Sequence, residues 1–245
     1  MKKTLLLVAA LSAAAVTTPI SSYAQEEAPA PEKESIWSFS AGADLVSSYL
    51  WRGLYNGNAS FQPALGLSCG PVTLGAWGSY DFGGDSKEVD IYLGFEKGGF
   101  SATLTDYFYP GEGGFFTWDK DETCHQLELG VAYNFGENTK VPLSIAWNTM
   151  LAGDDLKADG DRQFSSYFEI GYSIPVKAVT VDLAAGFTPF DSFYQNGTDG
   201  FNMINFSVKG SYEIVFSEKF SLPVFAQLML NPNQEDIHMC FGFSF

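Results

Sequence analysis

The sequence predicts an all-β fold: a transmembrane antiparallel up-and-down β-barrel of about 12 strands. Three observations carry this prediction. From Ile36 onward, apolar and polar residues alternate with period two through segments of roughly ten residues, the length a tilted membrane strand needs. The connections between the segments alternate short and long, as the two rims of a membrane barrel do. Downstream of the first residues, no apolar run reaches the ~18 residues of a membrane-spanning helix.

Composition agrees with short alternating strands. Apolar residues make up 46% of the chain and aromatics 16%, with 25 glycines, a mixture suited to pleated strands and tight turns. The formal net charge is -16, which argues against nucleic acid as a partner.

The N-terminus reads as an export signal. Lys2 and Lys3 precede an apolar stretch that gives way to Ser22-Tyr23-Ala24 before Gln25. A positive start, a short apolar middle and a small residue before a polar run define a cleavable signal peptide over residues 1–24. Its removal takes away two lysines and no acid, so the mature chain is more acidic still. Residues 25–35, with Pro29, Pro31 and several glutamates, read as a flexible periplasmic lead, and residues 36–245 as the barrel. Export together with a barrel places the protein in the outer membrane of a Gram-negative cell, with its lipid and lipopolysaccharide as surroundings.

The segments fall at 36–49, 61–69, 72–80, 88–95, 100–108, 126–135, 141–151, 164–174, 179–187, 204–214, 220–230 and 237–245. In 126–135, Leu127, Leu129, Val131, Tyr133 and Phe135 oppose Gln126, Glu128, Gly130, Ala132 and Asn134. In 179–187, Val179, Val181, Leu183, Ala185 and Phe187 oppose Thr180, Asp182, Ala184 and Gly186. The last segment sets Ile237, Met239, Phe241, Phe243 and Phe245 against His238, Cys240, Gly242 and Ser244. It ends on an aromatic residue, like the terminal strands that the barrel-assembly machinery recognises. Segment 100–108 breaks the pattern, because Asp106 falls in its apolar register, and a bulge is expected there.

With both termini inside, the short turns at 70–71, 97–99, 136–140, 175–177 and 217–219 lie on the periplasmic side. The longer connections at 52–60, 81–87, 109–122, 152–162, 188–200 and 231–235 lie outside. Aromatics gather at segment ends, as interfacial girdles do: Tyr49, Trp51, Tyr80, Phe108 and Phe164 at the outer rim, and Trp37, Phe95, Tyr133, Tyr212 and Phe243 at the inner. Cys69, Cys124 and Cys240 fall too far apart, and on different faces, for a structural disulfide.

Ser48-Tyr49-Leu50-Trp51-Arg52-Gly53, followed by Gln62-Pro63, resembles the opening of the TorF family of bacterial outer-membrane porins. Trp77-Gly78-Ser79, the stretch from Glu88 through Val89, Asp90, Ile91, Tyr92 and Leu93 to Gly94, and Tyr107-Phe108-Tyr109-Pro110-Gly111 extend the likeness over roughly the first half of the mature chain. The resemblance implies an outer-membrane barrel with a pore function, and it brings no catalytic residues.

If the polar phases face the lumen, the interior carries Glu88, Asp90, Glu128, Glu169, Asp182 and Glu213 against Lys209, with Arg52 near the outer mouth. Buried charges must be solvated or paired. Two readings follow: a water-filled pore for small solutes with cation or neutral preference, or a closed structural or assembly barrel in which Arg52 and Lys209 bridge the acids. A third reading, an outer-membrane phospholipase, would use His125 with Ser165 or Ser166. Asp154, Asp155, Asp159 and Asp161, and Asp119, Asp121 and Glu122, form acidic loop clusters whose spacing matches no EF-hand. They read as solvated loop faces, and no cofactor or metal is implied. The mature protein is expected to need detergent and to give a β-sheet circular dichroism spectrum; a protein that stays dissolved without detergent, or is mainly helical, would contradict the prediction.

Overall fold

The structure, a computed structural model, describes residues 36–111, 113–119, 122–137, 139–218 and 220–245. The expected signal peptide and lead, and Asp121 of one acidic cluster, lie outside these residues. The strands are β1 (Trp37–Val46), β2 (Tyr49–Trp51), β3 (Leu54–Gly57), β4 (Ser60–Cys69), β5 (Val72–Asp81), β6 (Lys87–Lys97), β7 (Phe100–Phe108), β8 (His125–Asn134), β9 (Leu143–Gly153), β10 (Ser166–Val176), β11 (Val179–Thr188), β12 (Asn202–Ser217), β13 (Phe220–Asn231) and β14 (Asp236–Ser244). Twelve of them form one closed antiparallel barrel in which each strand pairs with its chain neighbours and β14 returns to β1, while β2 and β3 pair only with each other. Apart from one 3-10 turn at Phe135–Glu137, the described residues contain no helix.

The barrel closes through its last strand. Asp44, Leu45 and Val46 of β1 pair with Ser244, Phe243 and Gly242 of β14. The Ala43 and Phe245 backbones exchange bonds of 2.9 and 3.0 Å, and Ser47 N–H donates to Phe241 O. Closure leaves no strand edge unpaired, which is what an apolar solvent demands of a sheet.

The period-two pattern becomes an inside and an outside. Leu65 (53% exposed), Met239 (64%) and Phe241 (63%) face outward, whereas the alternate residues Gln62, Glu88, Glu128 and Asn148 are buried inside. A water-soluble barrel buries its apolar face and wets its polar one; here the arrangement is inverted. Dozens of bare apolar side chains are stable only against acyl chains, so the fold is that of a membrane barrel.

Inside, large side chains lie over glycines on neighbouring strands. A Cβ on Gly75 would come within 2.1 Å of the Tyr92 ring, one on Gly186 within 2.1 Å of the Tyr167 hydroxyl, and one on Gly242 within 2.7 Å of the Phe225 ring. The aromatic ring fills the space the missing side chain leaves, and the interior is thereby packed.

Two expectations are corrected. β7 pairs with β6 and β8 in unbroken register, so there is no bulge at Asp106. Its carboxylate stays on the outward face and bonds His125 there. The register shifts lie instead between Leu127 and Glu128, Gly186 and Phe187, and Val215 and Ser217. Tyr49 and Trp51 are not rim aromatics: both are buried in a cluster with Tyr107, Tyr167 and Tyr194, because the chain after β1 turns into the lumen. Tyr80, Phe164, Trp37 and Tyr212 do stand exposed at the ends of the wall.

Gly186→Val forces a branched side chain into the ring of Tyr167. It is expected to destabilise the barrel by about 1–3 kcal/mol, read as a lowered urea midpoint in detergent micelles; an unchanged midpoint would show that the glycine contact is slack.

Candidate functional site

The site begins with a hairpin. Past Val46 the chain leaves the wall, and Tyr49, Leu50 and Trp51 pair with Gly57, Tyr55 and Leu54. Arg52 and Gly53 form the turn, with φ of 49° and 88°, the left-handed backbone that a tight hairpin turn requires at both central positions. Gly53 has a second reason to be glycine: a Cβ there would lie 1.9 Å from the Ile204 carbonyl oxygen on β12. Asn231 Nδ2 on β13 donates to Gly53 O at 3.0 Å. The tip is thus held against β12 and β13.

Arg52, uncommon for a left-handed backbone position, is fixed by what its side chain meets. Its guanidinium forms a two-pronged pair with Glu128 on β8, Nη1 to Oε2 at 2.5 Å and Nη2 to Oε1 at 2.9 Å, and Nη1 donates also to the Tyr194 hydroxyl at 2.7 Å. The Tyr107 hydroxyl donates to Glu128 Oε1 at 3.0 Å. The guanidinium carbon lies 4.6 Å from the centre of the Trp51 ring and 5.1 Å from that of Tyr167. With side-chain exposures of 1% and 4%, this is a fully desolvated ion pair whose partners offset the cost of burial.

A second insertion completes the closure. The loop between β11 and β12 carries Phe193 and Tyr194 onto Trp51, with ring centres 6.3 and 5.5 Å apart. Burial pushes the Tyr194 hydroxyl well above its ordinary pKa, so it remains a neutral donor and acceptor beside Arg52. The loop is clasped by its neighbour: Ser165 N–H and Oγ both donate to Asp155, at 2.9 and 2.6 Å, and Phe193 N–H donates to Ser165 Oγ at 3.0 Å. One member of the acidic loop cluster is therefore a structural acceptor. Its neighbour Asp154 is raised in pKa by partial burial and by Asp155.

The eight residues expected to line the lumen divide into two levels. Toward the long loops, Arg52, Glu88, Asp90, Glu128 and Glu169 are all buried. Arg52 and Glu128 meet directly. Glu88 and Asp90 lie two residues apart on the inward face of β6, and Asp90 Oδ1 has no hydrogen-bond partner among the described residues. Glu169 accepts from the Tyr167 hydroxyl and from Asn205 Nδ2.

Toward the short turns, Asp182 and Lys209 are half-buried and Glu213 is exposed. Asp182 and Lys209 sit opposite each other on β11 and β12, yet Asp182 accepts from Ser173 Oγ at 2.6 Å and Lys209 places its ammonium 4.3 Å over the Phe225 ring. The bridging expected of both cations is made by Arg52; Lys209 rests on an aromatic face. The interior is therefore closed at the long-loop end by Arg52 and its partners, while its charged residues toward the short turns are partly exposed.

Tyr107, Tyr167 and Asn205 of the stopper lie in the inward register of β7, β10 and β12. The residues of the stopper that alternation does not reveal are Trp51 and Tyr194. Their signal is local: a Trp-Arg-Gly turn flanked by two aromatic residues inside a loop, and an aromatic pair in another.

His125 lies on the outward face, as its register implies. Ser165 is committed to Asp155, and Ser166 Oγ bonds Phe164 O and Thr149. His125 Nε2 meets the Phe115 carbonyl at 2.7 Å and Nδ1 meets Asp106 at 2.8 Å. The structure does not bring His125 and these serines together as a nucleophile and its base.

Removing one partner of the buried pair, as in Arg52→Ala, is expected to cost about 3–5 kcal/mol, whereas Arg52→Met with Glu128→Leu costs much less. Urea unfolding in micelles measures both, and equal losses would show that the pair acts through shape alone.

No family model matches the chain, and no curated protein matches it. Among solved structures, a chain from a study entitled "Unveiling the Mechanism Behind the in-meso Crystallization of Membrane Proteins" is similar, with 8% sequence identity and a TM-score of 0.49 over 85% of this chain and 82% of that one.

Proposed function

We propose that the protein is a porin-like channel of the outer membrane that passes small solutes with cation or neutral preference, and that the arrangement described above is its closed form. One observation carries the reading: the stopper is not made by the wall alone but by a separate hairpin, β2–β3, joined to the wall at its two ends and bonded into the lumen by polar contacts. A wall packed solid by its own side chains has nothing to move; a hairpin held by one ion pair and a few hydrogen bonds does. Below it the lumen is polar, with acids outnumbering cations, and such a field attracts cations and repels anions. The likeness of the first half to TorF-family porins, and residues 1–24 read as an export signal, support the outer membrane as location. They also support the assembly machinery, lipid and lipopolysaccharide as partners.

A closed structural barrel is the second reading, favoured by the two-pronged geometry of the Arg52–Glu128 pair. Planar bilayers separate the two. For a channel, wild type is mostly shut, and Arg52→Ala raises its open fraction by about tenfold or more, since each ~1.4 kcal/mol taken from the closed state is a factor of ten. The open variant is cation-selective in a KCl gradient, and adding Glu128→Gln with Glu169→Gln moves its reversal potential toward zero. Silence of both proteins supports the structural barrel, and clear anion selectivity contradicts the assigned preference.

A further inference from the structure

The loop between β7 and β8 begins with Tyr109, which packs against the buried aromatic cluster. Farther along, residues 113–119 wrap a side chain on the outer wall. His125 begins β8 in the outward register, pairs with Phe108 across β7, and is wholly buried although it belongs to the face that meets lipid. The burial is supplied by the loop: Trp118 stacks on the imidazole at 4.2 Å with the planes 18° apart, Phe115 meets it edge-on at 5.2 Å, and Nε2 donates to the Phe115 carbonyl. From below, Asp106 closes the fourth side. A carboxylate and an imidazole on a lipid-facing wall cost several kcal/mol unless paired and covered, and the loop folds down the wall to cover them.

In doing so it exposes apolar surface of its own. Phe116, packed edge-on against Phe115, is 90% exposed and Trp118 is 50% exposed. Phe115, on which Phe116 packs, meets Phe108 at the end of β7 edge-on at 5.3 Å, and Leu104 and Leu129 face outward farther along the same two strands. Through Phe115 and Phe108 the patch adjoins the apolar wall, and tryptophan prefers the zone where acyl chains meet headgroups.

We infer that residues 113–119 of the β7–β8 loop are a membrane-interface strap, clamped to the wall through His125 and seating Phe116 and Trp118 in the headgroup zone of the surrounding leaflet. The inference goes beyond the channel reading and rests only on the membrane wall. Its occupant is lipid because the patch adjoins the lipid-facing belt.

The test is tryptophan quenching in vesicles of phosphatidylcholine, comparing wild type with Trp118→Phe, which keeps an aromatic ring on His125. The emission lost in the variant reports Trp118. It is expected to fall about twofold or more when the lipid carries bromine near the headgroup, and to resist iodide in the water phase. Quenching by iodide without quenching by brominated lipid overturns the strap, and so does protection from both, the outcome if a second copy or another loop covers the patch. Trp147, exposed at mid-wall on β9, is the control, through the wild type and Trp147→Phe difference. Should lipid brominated at mid-chain fail to quench Trp147, the membrane wall itself is wrong and the strap falls with it. If Trp147 is quenched and Trp118 is not, only the strap is lost.

Discussion

Arg52 and Glu128 come from elements far apart in the chain, one from a turn inside a loop and the other from the wall, and neither could be buried without the other. A guanidinium or a carboxylate left alone in this interior would carry an uncompensated desolvation penalty of several kcal/mol. Together, joined by two parallel hydrogen bonds and faced by the Tyr107 and Tyr194 hydroxyls, they make the interior position of the hairpin stable. The rest of the closed end follows. Trp51 can pack on Tyr107 and Phe193 only if Arg52 is inside, Gly53 can lie against Ile204 only if the turn crosses the lumen, and Tyr194 has its partner only once Arg52 has arrived.

The same constraint shapes the wall. A sheet in an apolar solvent must satisfy its backbone internally and keep its polar side chains from lipid. Closure through β14 meets the first demand, and the period-two alternation meets the second. Where alternation is broken, the structure answers locally. Asp106 faces outward because β7 keeps its register, and His125 and an overlying loop bond and cover it. Both departures from the barrel pattern, the charged hairpin inside and the Asp106–His125 contact outside, are resolved by aromatic residues that loops supply.

This explains what the sequence disclosed and what it withheld. The wall was legible because one physical rule, apolar out and polar in, runs along the strands, so Leu129 against Glu128 and Phe241 against Cys240 read the same way, with Asp106 of β7 a departure. The segment limits agree with the strands to within a few residues, and the short and long connections fall where they were expected. The stopper was not legible, because loops obey no such period. Tyr49 and Trp51 look like girdle aromatics in sequence, and only the turn at Arg52 and Gly53, with its anchoring to Ile204 and Asn231, sends them inward. Lys209 shows the same limit on a smaller scale: its lumen-facing register was readable, but not its choice of the Phe225 ring over Asp182 across the strand pair.

The central claim is that residues 49–57 are an internal part of the barrel and not a solvent loop. Native-state amide hydrogen exchange in micelles tests it without any substitution. Slow exchange at the paired amides of this hairpin, approaching that of the wall strands, is the expected result; exchange as fast as that of an open loop would place the hairpin in water and contradict the closed lumen.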